Sequence, residues 1–219
     1  MTGPPRGRDM QRVIEAYEPR RPLLNDLARA LQEHVVRKLD GLPHIDRVAF
    51  RPKDAKSFAQ KSFAADEHGR LKYTVPLEDI EDQVAGRVLV FFRRDIEPVV
   101  RELKRTFNSV EQVRKEPESH DAFSYESEHL VFAIPPSAYP TGWESLEHRP
   151  HTFEMQVRTL FMHAWAEPQH DIAYKGAVVL NSDERRKIAW AASNAWGGDA
   201  IFEQVLDSLA TRTPGSSQD

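Results

Sequence analysis

The chain has 219 residues, 40% of them hydrophobic, a formal charge of −4 and no cysteine. That is enough chain for one substantial core; no apolar run approaches the ~20 residues needed to cross a bilayer, and disulfides and thiolate metal sites are excluded. The acidic balance excludes a protein basic throughout, so any RNA contact needs a local patch, and the polar start from Met1 to Arg12 carries no secretory signal, which fits a cytoplasmic protein.

Residues 1–9 read as disordered. Helices follow over 10–17 and about 23–39, the second with Leu24, Leu27, Leu31, Val35 and Leu39 near helical spacing, as expected of a helix that covers a sheet. Strands are predicted over 46–51, 84–92, 109–114, 127–134 and 152–158, and helices over 53–64, 96–107 and 159–174. This is an α/β (α+β) order around one mixed sheet of about five strands. A last helix starts near Ser182 and is expected to break at Gly197-Gly198, with Asp199 capping a resumed segment. There Ile201, Val205 and Leu209 line one stripe, which an intramolecular core contact would explain. The tail 214–219 reads as disordered. The bounds are N-terminal helices over 10–44, a central domain over 45–180 and C-terminal helices over 181–213.

Four segments of the central domain carry the chemistry. In Arg51-Pro52-Lys53-Asp54-Ala55-Lys56-Ser57-Phe58-Ala59-Gln60-Lys61, Pro52 suits the first turn of a helix. Lys53, Ser57 and Lys61 would then share one face, and two stacked ammonium groups repel unless a polyanion such as a nucleotide's phosphates binds them. On its own, a solvated basic face is the commoner explanation. In the second segment, Asp82 precedes the buried run Val88-Leu89-Val90-Phe91-Phe92, where a hard oxygen ligand for magnesium can be held rigidly, and Arg87 needs an anionic partner. An exposed acidic turn would account for Asp79 and Glu81 but poorly for Arg87.

The third segment, Phe123-Ser124-Tyr125-Glu126-Ser127-Glu128-His129, would place Tyr125, Ser127 and His129 on one face of a strand, an aromatic plane beside two hydrogen-bonding groups. A lone strand tyrosine is more often packing than a platform for a base. The fourth, Phe153-Glu154-Met155-Gln156-Val157-Arg158-Thr159, alternates apolar and polar. Phe153, Met155 and Val157 would face the core, leaving Glu154, Gln156 and Arg158 on a working surface. Alone, it would be an ordinary half-buried strand.

In this order the segments resemble the synthetase domain of the RelA/SpoT family, in particular its small single-domain alarmone synthetases. The signature is Arg-x-Lys-x-x-x-Ser-x-x-x-Lys, an Asp with an Arg five residues on, Tyr-x-Ser-x-His, and Glu-x-Gln-x-Arg-Thr. It continues into Met162-His163-Ala164-Trp165-Ala166-Glu167, His170 and Tyr174-Lys175. The resemblance covers roughly residues 45–210 and implies a nucleotidyltransferase-like fold, with C-terminal helices, among them the Ile201, Val205 and Leu209 stripe, that would take part in a homo-oligomer. It also implies transfer of the β,γ-pyrophosphoryl group of ATP to the 3′-hydroxyl of GTP or GDP, giving (p)ppGpp and AMP. By position, Arg51 and Arg87 would sandwich the adenine, and Lys53, Ser57 and Lys61 would line the phosphate site. Asp82 and Glu154 would share Mg2+, Glu154 also helping to activate the hydroxyl. Tyr125 would stack on the acceptor base, with His129, Gln156 and His163 at the acceptor's sugar or phosphates.

Two departures bear on the acceptor. Ser124 and Glu126 flank the tyrosine where relatives have Gly and often a basic or amide residue, and Pro168 interrupts a stretch that is continuous helix in relatives, at a cost of about 3 kcal/mol or a break. The alternatives are therefore a toxic relative that passes pyrophosphate to the tRNA 3′ end or an adenosine nucleotide, with an antitoxin protein as partner, and an inactive nucleotide-binding module. The roughly fifty residues before Arg51 are too few for the helical hydrolase domain of the long family members, so no hydrolase activity is expected. His120-Asp121 and His170-Asp171 read as polar loop and helix residues.

Overall fold

The computed structural model describes residues 9–117, 122–175 and 180–212, with the backbone alone for 173–175. The expectations for residues 1–8, His120-Asp121 and the tail lie outside the described residues. Helix α1 (Met10–Tyr17) starts where the Asp9 side chain accepts from Gln11 N. Helix α2 (Arg21–Leu39) buries Leu24, Leu27, Leu31, Val35 and Leu39. Strands β1 (Ile45–Pro52), β2 (Val84–Val90), β3 (Ser109–Lys115), β4 (Ser127–Ala133) and β5 (Thr152–Thr159) form one sheet in the order β1-β2-β5-β4-β3. The pair β2·β5 is parallel and the other three pairs are antiparallel. The sheet is thus the mixed five-stranded one expected. No described helix is long and apolar enough to cross a membrane.

Strand alternation sorts the sheet into two faces. Phe153, Met155 and Val157 of β5 are fully buried and join Leu130 and Phe132 of β4, Val88 of β2 and the leucines of α2 in the core. At Gly86 of β2 a side chain would meet the Phe50 ring of β1 at 2.5 Å, so the missing Cβ lets that ring lie across the strand. After α3 (Ala55–Ser62) and the short α4 (Pro76–Asp79), helix α5 (Ile96–Thr106) adds Val99, Val100 and Leu103. The other face carries the polar alternates.

Two local expectations are corrected. Pro52 ends β1, paired with Val84, instead of opening a helix; helix α3 (Ala55–Ser62) begins at the N-cap Asp54, whose carboxylate accepts from Lys56 N and Ser57 N, so Lys53 precedes it. The helix expected over 159–174 is α6 (Leu160–Lys175), which runs through Pro168 without breaking. Pro168 and Ala164, whose carbonyl loses its donor, are both exposed, so water can take the freed acceptor.

The second correction is the C-terminal helix. Helix α7 (Ser182–Ala210) is continuous through Gly197-Gly198, opened by a capping box of Asn181 and Glu184. Gly198 serves packing: a Cβ there would meet Phe161 Cδ1 of α6 at 2.9 Å. Asp199 is no cap; it is buried, and its carboxylate accepts from Thr159 Oγ1 at 2.7 Å. Ile201, Val205 and Leu209 are all exposed, so their stripe lies outside the core.

Candidate active site

The polar alternates of four strands line a cleft of about 1000 Å³. The register explains who meets whom: Arg51 of β1 stands opposite Ala85 of β2, which pairs with Glu154 of β5, and one step on Ala49, Arg87, Gln156 and His129 form a second row across β1, β2, β5 and β4. From beyond the sheet come Lys53, Asp54, Ser57, Gln60 and Lys61 around α3, Asp82 from the 3-10 turn before β2, Tyr125, and Glu167, Gln169, His170 and Asp171 of α6. Ten of the eleven residues singled out for the site line this cleft. His163 does not; its Nδ1 accepts from Arg158 Nη2 at 2.8 Å.

On the side of α3, Asp82 Oδ2 accepts from Lys53 Nζ at 2.7 Å and from Lys61 Nζ at 3.0 Å. The two ammonium groups do not face each other bare: a carboxylate stands between them. Burial alone would depress Lys61, but the charge and hydrogen bond of Asp82 outweigh it and lift its pKa above the ordinary value, so it stays a cation. The other oxygen, Asp82 Oδ1, is buried with no hydrogen-bond partner in the structure. An orphaned carboxylate oxygen is costly to keep and suits a cation brought in with a ligand.

At the middle of the sheet, Glu154 Oε1 accepts from Gln156 Nε2 at 2.9 Å and pairs with His129 Nδ1 at 2.7 Å. Burial would raise its pKa, but these hydrogen bonds and the charges of His129 and Lys61 override it and hold the carboxyl at about 2. Among the described residues no group of three or more His, Cys, Asp or Glu side chains could hold a metal by itself. Asp82 and Glu154 fit instead an ion that keeps waters and takes phosphate oxygens from a substrate.

On the far side, Tyr125 lies in an irregular stretch before β4 and not on the strand itself. Its hydroxyl donates to Gln156 Oε1 at 3.4 Å, lies 3.2 Å from His129 Nε2 and accepts from Arg158 Nη1 at 3.3 Å, while the Arg158 guanidinium stands 5.5 Å from the ring centroid. Ser127 does not join them: it is buried and its hydroxyl donates to Val157 O. Glu126 turns away from the cleft onto Arg93.

Reading by motif left two contributions unassigned. Arg158 is only 3% exposed, holding Tyr125 from behind, and Glu167 accepts from both Arg87 and Arg158, at 2.7 and 2.8 Å. Glu167 sits four residues after His163 on α6, a helical spacing that could have drawn attention to it. Burial opposes its charge, but Arg87 and Arg158 keep its pKa below the ordinary carboxylate value. Arg51 is exposed and makes no ion pair among the described residues. The cleft therefore offers cations on two sides, two carboxylates near its middle and an aromatic ring, a layout suited to holding a polyphosphate against a second ligand.

The model of the family described as "Region found in RelA / SpoT proteins" matches residues 50–178. No curated protein sequence matches. Among solved structures, the small alarmone synthetase 1 from Bacillus subtilis is similar with a TM-score of 0.65 at 22% identity, over 92% of this chain and 98% of that one. The same enzyme bound to its product pppGpp gives 0.65 at 24% identity, over 92% and 100%, and bound to AMPCPP 0.61 at 21%, over 93% and 100%. Likeness at these identities is likeness of fold, and it includes the mixed sheet that builds the cleft. The family match spans more than half of the 219 residues and contains every residue of the cleft except Ala49: the chain belongs to the RelA/SpoT family.

Proposed function

We propose that the protein is a GTP pyrophosphokinase, an alarmone synthetase that moves the β,γ-pyrophosphoryl group of ATP to the 3′-hydroxyl of GTP or GDP. The observation that carries this reading is that Arg51, Lys53, Lys61, Arg87, Asp82, Glu154 and Tyr125 all line one cleft, in a chain of this family. One relative of the same fold, the small alarmone synthetase 1 from Bacillus subtilis, is described both with its product pppGpp and with AMPCPP bound.

In this reading Arg51 and Arg87 hold the adenine between them, and Lys53, Ser57 and Lys61 hold the phosphates. The acceptor oxygen attacks the β-phosphorus, the bond from that phosphorus to the α-bridging oxygen breaks, AMP leaves, and the hydroxyl proton passes to solvent or a nearby base. Such transfer asks the protein mainly for alignment and for charge neutralisation. Asp82, through its unpartnered Oδ1, and Glu154 would hold magnesium, which when bound offsets the charge of the transferred group. The hydrogen bonds from Gln156 and His129 that lower the pKa of Glu154 keep it a carboxylate, the form that holds a cation. Tyr125 stacks on the acceptor base while Gln156 and His129 stand beside it. Because Glu126 is paired with Arg93, its charge does not oppose acceptor phosphates, which supports a nucleotide acceptor.

The test offers labelled ATP with GTP, GDP, ATP alone and deacylated tRNA in parallel. Label in a guanosine product is the expected result. Label only in tRNA or an adenosine product overturns the acceptor assignment, and no transfer at all favours a nucleotide-binding module.

A further inference from the structure

We infer that Trp196 of α7, acting with Arg93, is a positioning residue for the acceptor side, fixing the segment that carries Tyr125; the inference rests on the proposed reading of Tyr125. The described residues 122–126 belong to no strand or helix, so ladder hydrogen bonds do not hold this backbone. A ring that must stack on a base from an unpaired segment needs its neighbours anchored. Both anchors lead to the same indole. Two residues before Tyr125, the Phe123 ring meets Trp196 edge-on, with centroids 5.8 Å apart and planes at 64°. One residue after it, Glu126 forms an ion pair with Arg93, whose guanidinium lies 5.7 Å from the centroid of the Trp196 ring. The indole is thus shared between an aromatic edge and a cation, two contacts that its electron-rich face and flat body both favour.

A buttress must itself be fixed, and α7 is. Arg94, next to Arg93, pairs with Glu203 and Asp207, each at 2.6 Å, and Thr159 at the end of β5 donates to Asp199. Trp196 lies on the same helix between these attachments and the capped start. It is not part of the cleft lining, and neither are Arg93 and Phe123. The donor residues sit on β1, α3, β2 and the turns between them, away from this bracket. Its loss should therefore be felt by one substrate and not by the other.

The experiment measures KM for ATP and for GTP separately, with the full chain, Trp196→Ala, Trp196→Phe, Phe123→Ala and the Trp196→Ala/Phe123→Ala pair, alongside thermal unfolding. Trp196→Ala is expected to raise the GTP KM about tenfold, the worth of one ring contact plus one cation contact, with the ATP KM within about twofold. Trp196→Phe should recover most of the loss, and the double variant should be little worse than Trp196→Ala alone. A parallel rise in both KM values would mean a general loosening and overturn the assignment, as would no change in either or full additivity of the pair. A wild-type chain that labels no guanosine acceptor overturns the proposed function and this inference together; one that does so while Trp196→Ala fails the split overturns this inference alone.

Discussion

Glu167 on α6 and Arg87 on β2 meet at 2.7 Å across the cleft, and the same carboxylate oxygen accepts from Arg158. The guanidinium proposed to stack on adenine is therefore aimed by a helix that comes after the last strand. Glu167→Gln should raise the KM for ATP about three- to tenfold, since partly exposed ion pairs are worth ~0–1 kcal/mol each and 1.4 kcal/mol is tenfold. Arg87→Lys should not restore the wild-type value, because a point charge lacks the flat stacking surface. An ATP KM unchanged in Glu167→Gln would show that the pair aims nothing.

Asp82→Asn and Glu154→Gln should each lower AMP release from ATP by about a hundredfold or more, in line with the loss of one charge-stabilising group from a phosphoryl-transfer site. Thermal unfolding near neutral pH should remain cooperative in both. Near-normal turnover in either variant removes that residue from the metal site. Asp82→Asn also leaves Lys53 and Lys61 without the charge between them, so its ATP KM should respond to salt more steeply than that of the wild type.

Glu154 and Asp199 give opposite pH signatures. The folded-state pKa of Glu154 lies near 2, below its ordinary 4.5, so its ionisation contributes stability above pH 4.5 that is lost as pH falls towards 2. The Asp199 carboxyl is pushed up from 3.8 to about 6, chiefly by burial, with its bond from Thr159 opposing the rise. Its contribution is fully present below pH 3.8 and lost as pH rises through 6, so ionised Asp199 costs stability at neutral pH. Asp199→Asn should therefore raise Tm relative to wild type at pH 7.5 and raise it less at pH 5. An equal shift at both values would show that the carboxyl is not penalised by burial.

The two glycines of α7 should respond differently to alanine. Nothing lies within 4 Å of a Cβ built at Gly197, so Gly197→Ala should stabilise by about 0.5–1 kcal/mol through helix propensity. At Gly198 the Phe161 ring stands at 2.9 Å, and Gly198→Ala should lose that gain or destabilise. Denaturant midpoints decide it. Equal gains at both positions would mean that the Phe161 ring moves aside freely.

The alternation in Phe153 to Thr159 was legible because it obeys a backbone period of two, and the structure divides those side chains between core and cleft as that period requires. What was not legible depends on partners distant in the chain. Gly197-Gly198 carries a strong local breaking signal, yet the ring of Phe161, 37 residues away, makes a small residue the packing solution at Gly198. Lys53 and Lys61 looked like a bare pair because Asp82 is brought between them only by the return of the chain into β2. Arg158 read as a surface cation and is buried because Tyr125 and Glu167 close over it.

The sheet order has a consequence in time. Strand β5 lies between β2 and β4, although it is the last to be made, so β1-β2 and β4-β3 are two separate sheets with open inner edges until residues 152–159 arrive. Only that insertion sets Glu154 beside Ala85 and Gln156 beside His129. A nascent chain that stops before β5 has the lysines and arginines of β1, α3 and β2 and no cleft. The cleft appears in one late step, with α6 following directly to bring Glu167 over it, and until then the unpaired edges of β2 and β4 are the part of the molecule most exposed to mispairing.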